Sequence, residues 1–463
     1  MKFQTSKLLY VSLIDEKLYI NSLDYIKERI NSLNSSVKVE INKTSLDKCN
    51  KWFMTDEGFI KNESNAFFLI SGIRKKLKSD IIEQPIIIQN EIGYLGIITK
   101  EINGNLYFLM QAKIEPGNIN KIQISPTIQA TRSNFLQKHG GKKPPYLDYF
   151  QNANKYETIV DQIQSEQSSR FYGKRNRNVI IKVEEDIEVL NTHFWLSLYQ
   201  LKQLLKVDNI VNMDTRTVLS CIPYFRINLS EINNSNSFKN IYLTKSFFGD
   251  LDYNEINEVY YKINNFKMNY EAHTELVSLY NLKEWNVNEY EVISKNFKSF
   301  KVIFCDIEIE GREVNKWSQP LLEANGIATF ALLYAKVGDR IKFLVRLNSE
   351  IGSFDMVELG PTMQREADEE LTGNSIDSLI MKKITDNENL IYDVMLSEEG
   401  GRFYHEQNRN IIIEVDIHEI NISIYEASEY IWVEYKTLNY LIMTNNIINI
   451  QLRNLLSLLE VKQ

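Results

Sequence analysis

Arg170-Phe171-Tyr172-Gly173-Lys174-Arg175-Asn176-Arg177-Asn178-Val179-Ile180-Ile181-Lys182-Val183 is spelled almost again at Arg402-Phe403-Tyr404-His405-Glu406-Gln407-Asn408-Arg409-Asn410-Ile411-Ile412-Ile413-Glu414-Val415. Nine of the fourteen positions are identical at a spacing of 232 residues. Working outward, Gln84-Pro85 matches Gln319-Pro320, Gly117 matches Gly352, Pro126-Thr127 matches Pro361-Thr362 and Gln129 matches Gln364, all at 235. Toward the C-terminal side Trp195 pairs with Trp432, Asn209 with Asn446 and Arg216 with Arg453, at 237. The order is kept and the drift is small, so the chain is two copies of one unit. The copies run roughly over 10–225 and 240–463, giving expected domains 1–230 and 238–463 around the polar join Asn233 to Ser237.

Each copy predicts a mixed α/β fold (α+β, mixed sheets). Strands are expected at Phe67–Ile70, Pro85–Gln89, Tyr94–Thr99, Leu106–Met110 and Val179–Val183, where apolar and β-branched residues cluster. Their counterparts are Val302–Ile309, Ile327–Ala335, Ile341–Leu347 and Ile411–Val415. Helices are expected at Asp24–Leu33, Tyr156–Ser165 and Trp195–Leu205, the last capped by Asn191-Thr192. Each copy closes on an apolar-striped helix ending near Ile222 or Leu459.

With 463 residues, two or more domains are the prior, and 43% hydrophobic with 25% charged residues is a globular composition. A net charge of −8 argues against a general nucleic-acid binder. Cys49, Cys221 and Cys305 form no CxxC pair, so neither a zinc site nor a disulfide framework is expected. No run approaches a membrane span, and Met1 to Glu16 lacks the apolar core of a signal peptide, so the expected location is the cytoplasm, without membrane association. There is no P-loop, no GxGxxG after a strand, no GxSxG and no HExxH.

Between Gln111 and Tyr146 the first copy packs Lys113, Glu115, Arg132 and His139 among three glycines, several prolines and many amides and hydroxyls. Turn-forming residues that hold polar side chains in place are the usual setting of a binding loop. His139 stands beside Gly140-Gly141, where backbone approaches a ligand closely, yet a lone His also serves structure. Lys113 alternates with Gln111 on a strand: facing a pocket it is a cation for an oxyanion or phosphate, otherwise a surface lysine. Glu115 precedes Pro116-Gly117 at a forced turn. Arg170, Arg175 and Arg177 suit a diphosphate by their forked geometry, or pin the loop that carries them.

In the second copy, Gly352, Glu358, Arg365-Glu366, Glu369-Glu370 and Gly373 nearly spell the Nudix box, in which clustered glutamates on a helix hold Mg²⁺ against a diphosphate. The spacing is one residue short in two places, and the first copy has Gly117, Gln123 and Ala130-Thr131-Arg132 there. A Nudix-like architecture with a decayed metal box is expected, and a solvated acidic face is the bland alternative.

The run from Gln84-Pro85 through Gln111 to Phe150, the Arg170-Phe171-Tyr172 motif, and Asn212-Met213-Asp214-Thr215-Arg216-Thr217 resemble the NDP-hexose 2,3-dehydratases of deoxysugar biosynthesis. The resemblance covers most of the chain. It implies two tandem Nudix-like repeats related by a pseudo-two-fold axis, a homodimer, and two nucleotide-sugar pockets per subunit, one of them catalytic. It implies loss of water across C2 and C3 of an NDP-4-keto-6-deoxyhexose, usually carried on dTDP, with no redox cofactor and no required metal. A 3-ketoreductase would act downstream. On this footing His139 or Glu115 is expected as base, Lys113 as enolate stabiliser and Tyr146 as acid. Gln111, Gln129, Thr131, Arg132, Ser133, Asn134, Gly140, Gly141, Arg170, Tyr172, Arg175 and Asn178 are expected to bind substrate. A second, degenerate or regulatory pocket would use Gln364, Arg365, Arg402, Tyr404, Asn408 and Asn410, since Asn348 and Glu366 replace Lys113 and Thr131 there. Competing classes are a Nudix-type pyrophosphohydrolase at Glu358, Glu366, Glu369 and Glu370, and a non-catalytic nucleotide-sugar binding protein.

Overall fold

The computed structural model describes residues 1–65, 67–78, 80–136, 143–231, 238, 240–296, 299–310, 314–369, 375–420 and 429–461. Among them the first half contributes β1 (Val39–Thr44), β2 (Trp52–Met54), β3 (Ile60–Asn62), β4 (Leu69–Lys76), β5 (Ile81–Ile88), β6 (Gly93–Ile102), β7 (Asn105–Ile114), β8 (Ile122–Ser125), β9 (Ile128–Ala130), β10 (Glu157–Ser165), β11 (Arg175–Val183) and β12 (His193–Leu196). The second half contributes β13 (His273–Val277), β14 (Trp285–Val287), β15 (Glu291–Ser294), β16 (Phe300–Ile309), β17 (Lys316–Ala324), β18 (Thr329–Val337), β19 (Arg340–Asn348), β20 (Glu358–Gly360), β21 (Met363–Arg365), β22 (Leu390–Ser397), β23 (Gln407–Glu414) and β24 (Tyr430–Glu434).

Each half builds one large mixed sheet, with matching strand order β10-β11-β6-β7-β12 and β22-β23-β18-β19-β24. The β6–β7 hairpin turns on Asn103 (φ 51°) and Gly104 (φ 79°), the pair that favours a two-residue loop matching strand twist. The repeated Asn-Arg-Asn segment opens β11 and β23, and each lies parallel to the hairpin's first strand. Val179 to Ile181 and Ile411 to Ile413 are fully buried there, which accounts for their unbroken apolar run.

The smaller sheets are shared between the halves. β1 pairs antiparallel with β16, from Val39 opposite Ile309 to Thr44 opposite Phe304. β13 pairs antiparallel with β4, from His273 opposite Lys76 to Val277 opposite Gly72. Each half thus lends an edge strand to the other's small sheet.

The closing helices, Met213–Ser220 and Ile450–Leu458, are capped by Asn212 and Asn449 and are buried along their whole length. Arg216 and Arg453 have no exposed surface. Arg216 donates to the carbonyls of Val211 and Ser397, both at 2.6 Å, and Arg453 donates to the Thr217 hydroxyl at 2.7 Å and to the Ser165 carbonyl. Each guanidinium reaches a carbonyl of the opposite half, so burial of the charge is offset by bonds across the centre.

Two expected helices are corrected. Tyr156–Ser165 is mostly strand β10: Thr158, Ile159, Val160 and Ile163 are β-branched, and Asp161 pairs with Arg177 of the neighbouring strand at 2.6 Å. In Trp195–Leu205, strand β12 runs to Leu196 and the helix is Leu198–Leu204, capped by Ser197 with Gln200 rather than by Asn191-Thr192. The three cysteines are buried. No helix of the described residues is long and apolar enough to cross a membrane.

Candidate active site

A cavity of about 570 Å³ opens between the first half's large sheet, its small sheet, and strand β17 and a turn from the second half. Strand β7 ends by placing Lys113 and Glu115 on its wall, and β9 with the turn after it adds Gln129, Thr131, Ser133 and Asn134. Lys113 Nζ lies 3.1 Å from Glu115 Oε1, and Gln129 Nε2 donates to the same oxygen at 3.0 Å. Asn212 in turn donates to Gln129 Oε1 at 3.1 Å, tying this network to the cap of the buried helix. Glu115 Oε2 is buried and has no partner among the described residues. Glu91 accepts from the Ser133 amide at 2.9 Å and fixes the adjoining turn.

The far wall comes from the repeated motif, but not from the copy expected. Gly117 N donates to the Gly400 carbonyl at 2.6 Å, and the His405 amide donates back to the Gly117 carbonyl at 2.8 Å. A Cβ on Gly117 would stand 1.5 Å from the Phe403 carbonyl oxygen, so only glycine admits this contact. Gly352 holds the first half's motif likewise, through Ser168 and Gly173. The two Arg-Phe-Tyr turns therefore cross between the halves. Arg402 lines the first half's cavity, lies 4.2 Å over the Phe68 ring and donates to Gln89 at 3.3 Å. Arg170 lies 4.2 Å over Phe300 and pairs with Glu366 at 2.9 Å, both in the second half. Arg402, expected in the second pocket, thus lies on the first half's cavity, and Arg170, expected in the first, lies against the second half.

Other residues expected at the site lie apart from this cavity. Tyr146 stands outside this cavity, its hydroxyl donating to the Glu188 carbonyl at 2.7 Å and accepting from the Leu190 amide at 3.2 Å. Arg175 stacks 3.8 Å over Phe354, Asn178 donates to the Asn176 carbonyl, and Gln111, exposed Arg132 and Tyr172 do not line the cavity. His139, Gly140 and Gly141 lie outside the described residues. In the second half Gln364 bonds Asn348, Glu350 and Asn449, mirroring the first-half network. Arg365 donates to the Glu369 carbonyl, Tyr404 stacks on His405, and Asn408 donates to Glu398 with Asn410 behind it. The acidic box forms no single helical face: 363–365 is strand β21, Glu366 is held by Arg170, and Glu358 is buried on β20. Glu370 and Gly373 lie outside the described residues.

Several lining residues went unremarked in the sequence. Asp214, 2% exposed, projects from the first turn of the buried helix, and Lys174, Glu166 and Glu399 surround the same space. Burial holds the Lys174 ammonium down to about 8. Burial, then the neighbouring Glu115, pushes the Glu399 carboxyl up to about 7. Trp52, Phe67 and Trp317 form an aromatic side. The signal for Lys174 and Asp214 was a departure from the repeat: matched positions carry Glu406 and Gln451 inside otherwise repeated motifs.

The profile of the NDP-hexose 2,3-dehydratase family matches residues 23–222 and 256–459. A dTDP-4-dehydro-6-deoxy-alpha-D-glucopyranose 2,3-dehydratase of Saccharopolyspora spinosa is 37% identical over 91% of this chain and 88% of its own length. Proteins of that same name from Streptomyces violaceoruber and Amycolatopsis orientalis are 32% and 31% identical, over 91% and 88% of this chain and 93% and 83% of their own. The chain belongs to the NDP-hexose 2,3-dehydratase family.

Proposed function

We propose that this member of the family removes water across C2 and C3 of an NDP-4-keto-6-deoxyhexose, with dTDP-4-keto-6-deoxyglucose as substrate, and that it does so in the first half's cavity. The C4 ketone acidifies the C3 proton. A base takes that proton, and the enolate on O4 needs a donor. Glu115 takes the proton on Oε2, while Lys113 and Gln129 fix the other oxygen and the Lys113 ammonium faces O4. Loss of the C2 hydroxyl then leaves an enol that tautomerises to the 3,4-diketo-2,6-dideoxy sugar. Arg402 and Lys174 meet the diphosphate, and the aromatic side stacks the base.

What supports this location is the set of replacements in the second half. Asn348, Glu366, Glu406 and Gln451 stand there for Lys113, Thr131, Lys174 and Asp214. A diphosphate approaching that half meets carboxylates, and its Arg170 is already paired. That half is then a degenerate or regulatory pocket. By resemblance to the family, the halves 1–230 and 238–463 are Nudix-like repeats about a pseudo-two-fold axis, the subunit forms a homodimer in the cytoplasm, and a 3-ketoreductase consumes the reactive diketone.

Incubation with dTDP-4-keto-6-deoxyglucose, with and without EDTA, followed by mass analysis, tests the activity. Loss of one water, indifferent to chelation, is expected. Release of dTMP that stops with EDTA would instead establish a pyrophosphohydrolase.

A further inference from the structure

The elimination needs a proton for the departing C2 hydroxyl, and the Tyr146 hydroxyl is already committed to backbone on both its donor and acceptor sides. We propose, resting on the dehydratase reading above, that Asp214 is the neutral acid that protonates this hydroxyl. Asp214 lines the cavity and is 2% exposed, yet its carboxyl makes no hydrogen bond to any described residue. Asn212, two residues before it, caps the helix and donates to Ser125 and Gln129. A buried, unbonded carboxylate is costly, and Glu166, Glu399 and Glu115 disfavour its charge further, against Lys113 and Arg216, which favour it. Burial first, and these carboxylates next, hold its proton on well above the usual carboxylate range. The helix N-terminus works the other way, favouring the charged form. A neutral acid with no protein acceptor donates to whatever fills the cavity. The matched second-half residue, Gln451, has no acidic proton to give.

The step balances. The base removes the C3 proton and the electron pair becomes the O4 enolate. The enolate reforms the ketone as C2=C3 forms and the C2–O bond breaks. The leaving oxygen takes the Asp214 proton and departs as water. In the tautomerisation the base returns its proton to C2, and the C3 enol proton restores the Asp214 carboxyl.

The test compares Asp214→Asn with wild type on two substrates: dTDP-4-keto-6-deoxyglucose, and its 2-deoxy-2-fluoro analogue, whose fluoride leaves without a proton. D214N is expected to lose water at least ~10²-fold more slowly, to bind dTDP as wild type does, and to release fluoride at the wild-type rate. Unchanged water loss in D214N, or equal slowing on both substrates with dTDP binding weakened alike, would overturn the assignment. A wild-type enzyme that attacks neither substrate would overturn the dehydratase reading itself.

Discussion

Glu115 gives one oxygen to Lys113 and Gln129 and keeps the other unbonded, which is what a base needs while its orientation is fixed. Glu115→Gln is therefore expected to cut turnover by ~10²–10⁴-fold, measured as the steady-state rate; wild-type turnover in that variant would return the role of base to His139. Glu358 gives a second residue-scale expectation. Burial pushes its carboxyl from 4.5 up to about 7, so the folded chain holds a proton that the unfolded chain releases. Stability from this group falls as pH rises from 4.5 to 7 and stays low above that. The first half carries Gln123 at the matched position, bonded to Ser397 at 2.8 Å. Glu358→Gln should gain on wild type between pH 5 and pH 8 by roughly 1–3 kcal/mol, read from denaturation midpoints at the two pH values. A gain that does not change with pH would contradict it. At this scale Lys113, Glu115 and Gln129 were legible because they crowd one segment. Asp214 and Lys174 were not, because a residue far away in sequence becomes a wall only through packing.

The crossed turns are the element that joins the two halves. Gly117 meets the Phe403 carbonyl so closely that Gly117→Ala must shift the turn bearing Arg402. A loss of ~1–3 kcal/mol and a matching fall in turnover are expected, measured by melting temperature and kcat/KM; wild-type values in both would show that the turn does not need this contact. The repeat made the strands of both sheets legible, from β6 and β7 to β18 and β19, because each apolar run is doubled. It was silent on the exchange of Arg170 and Arg402, since identical motifs fit either partner. The Tyr156–Ser165 segment misled because Asp161, Gln162 and Gln164 look helical until Asp161 meets Arg177 across the sheet.

For the whole molecule, two copies in sequence are not two separate packing units. One apolar core takes Phe108, Leu201 and Leu219 from the first half and Phe343, Leu438 and Leu455 from the second. Strands β1 and β13 are exchanged, and Arg216 and Arg453 are satisfied only across the centre. Residues 1–230 expressed alone are expected to aggregate or to lack a cooperative melt, and co-expression with 231–463 to restore a soluble pair. A cooperative melt of the isolated first half would contradict this. In the same architecture the proposed working cavity is the first half's and is completed by an arginine of the second. The measurement that tests it most directly is kcat/KM for dTDP-4-keto-6-deoxyglucose in Arg402→Ala and Arg170→Ala, with melting temperatures alongside. R402A is expected to lose at least ~10-fold, the order of one charged hydrogen bond, while folded R170A stays within a factor of about three of wild type by the same scale. Loss in R170A with R402A unaffected would place the working site in the other half and contradict it.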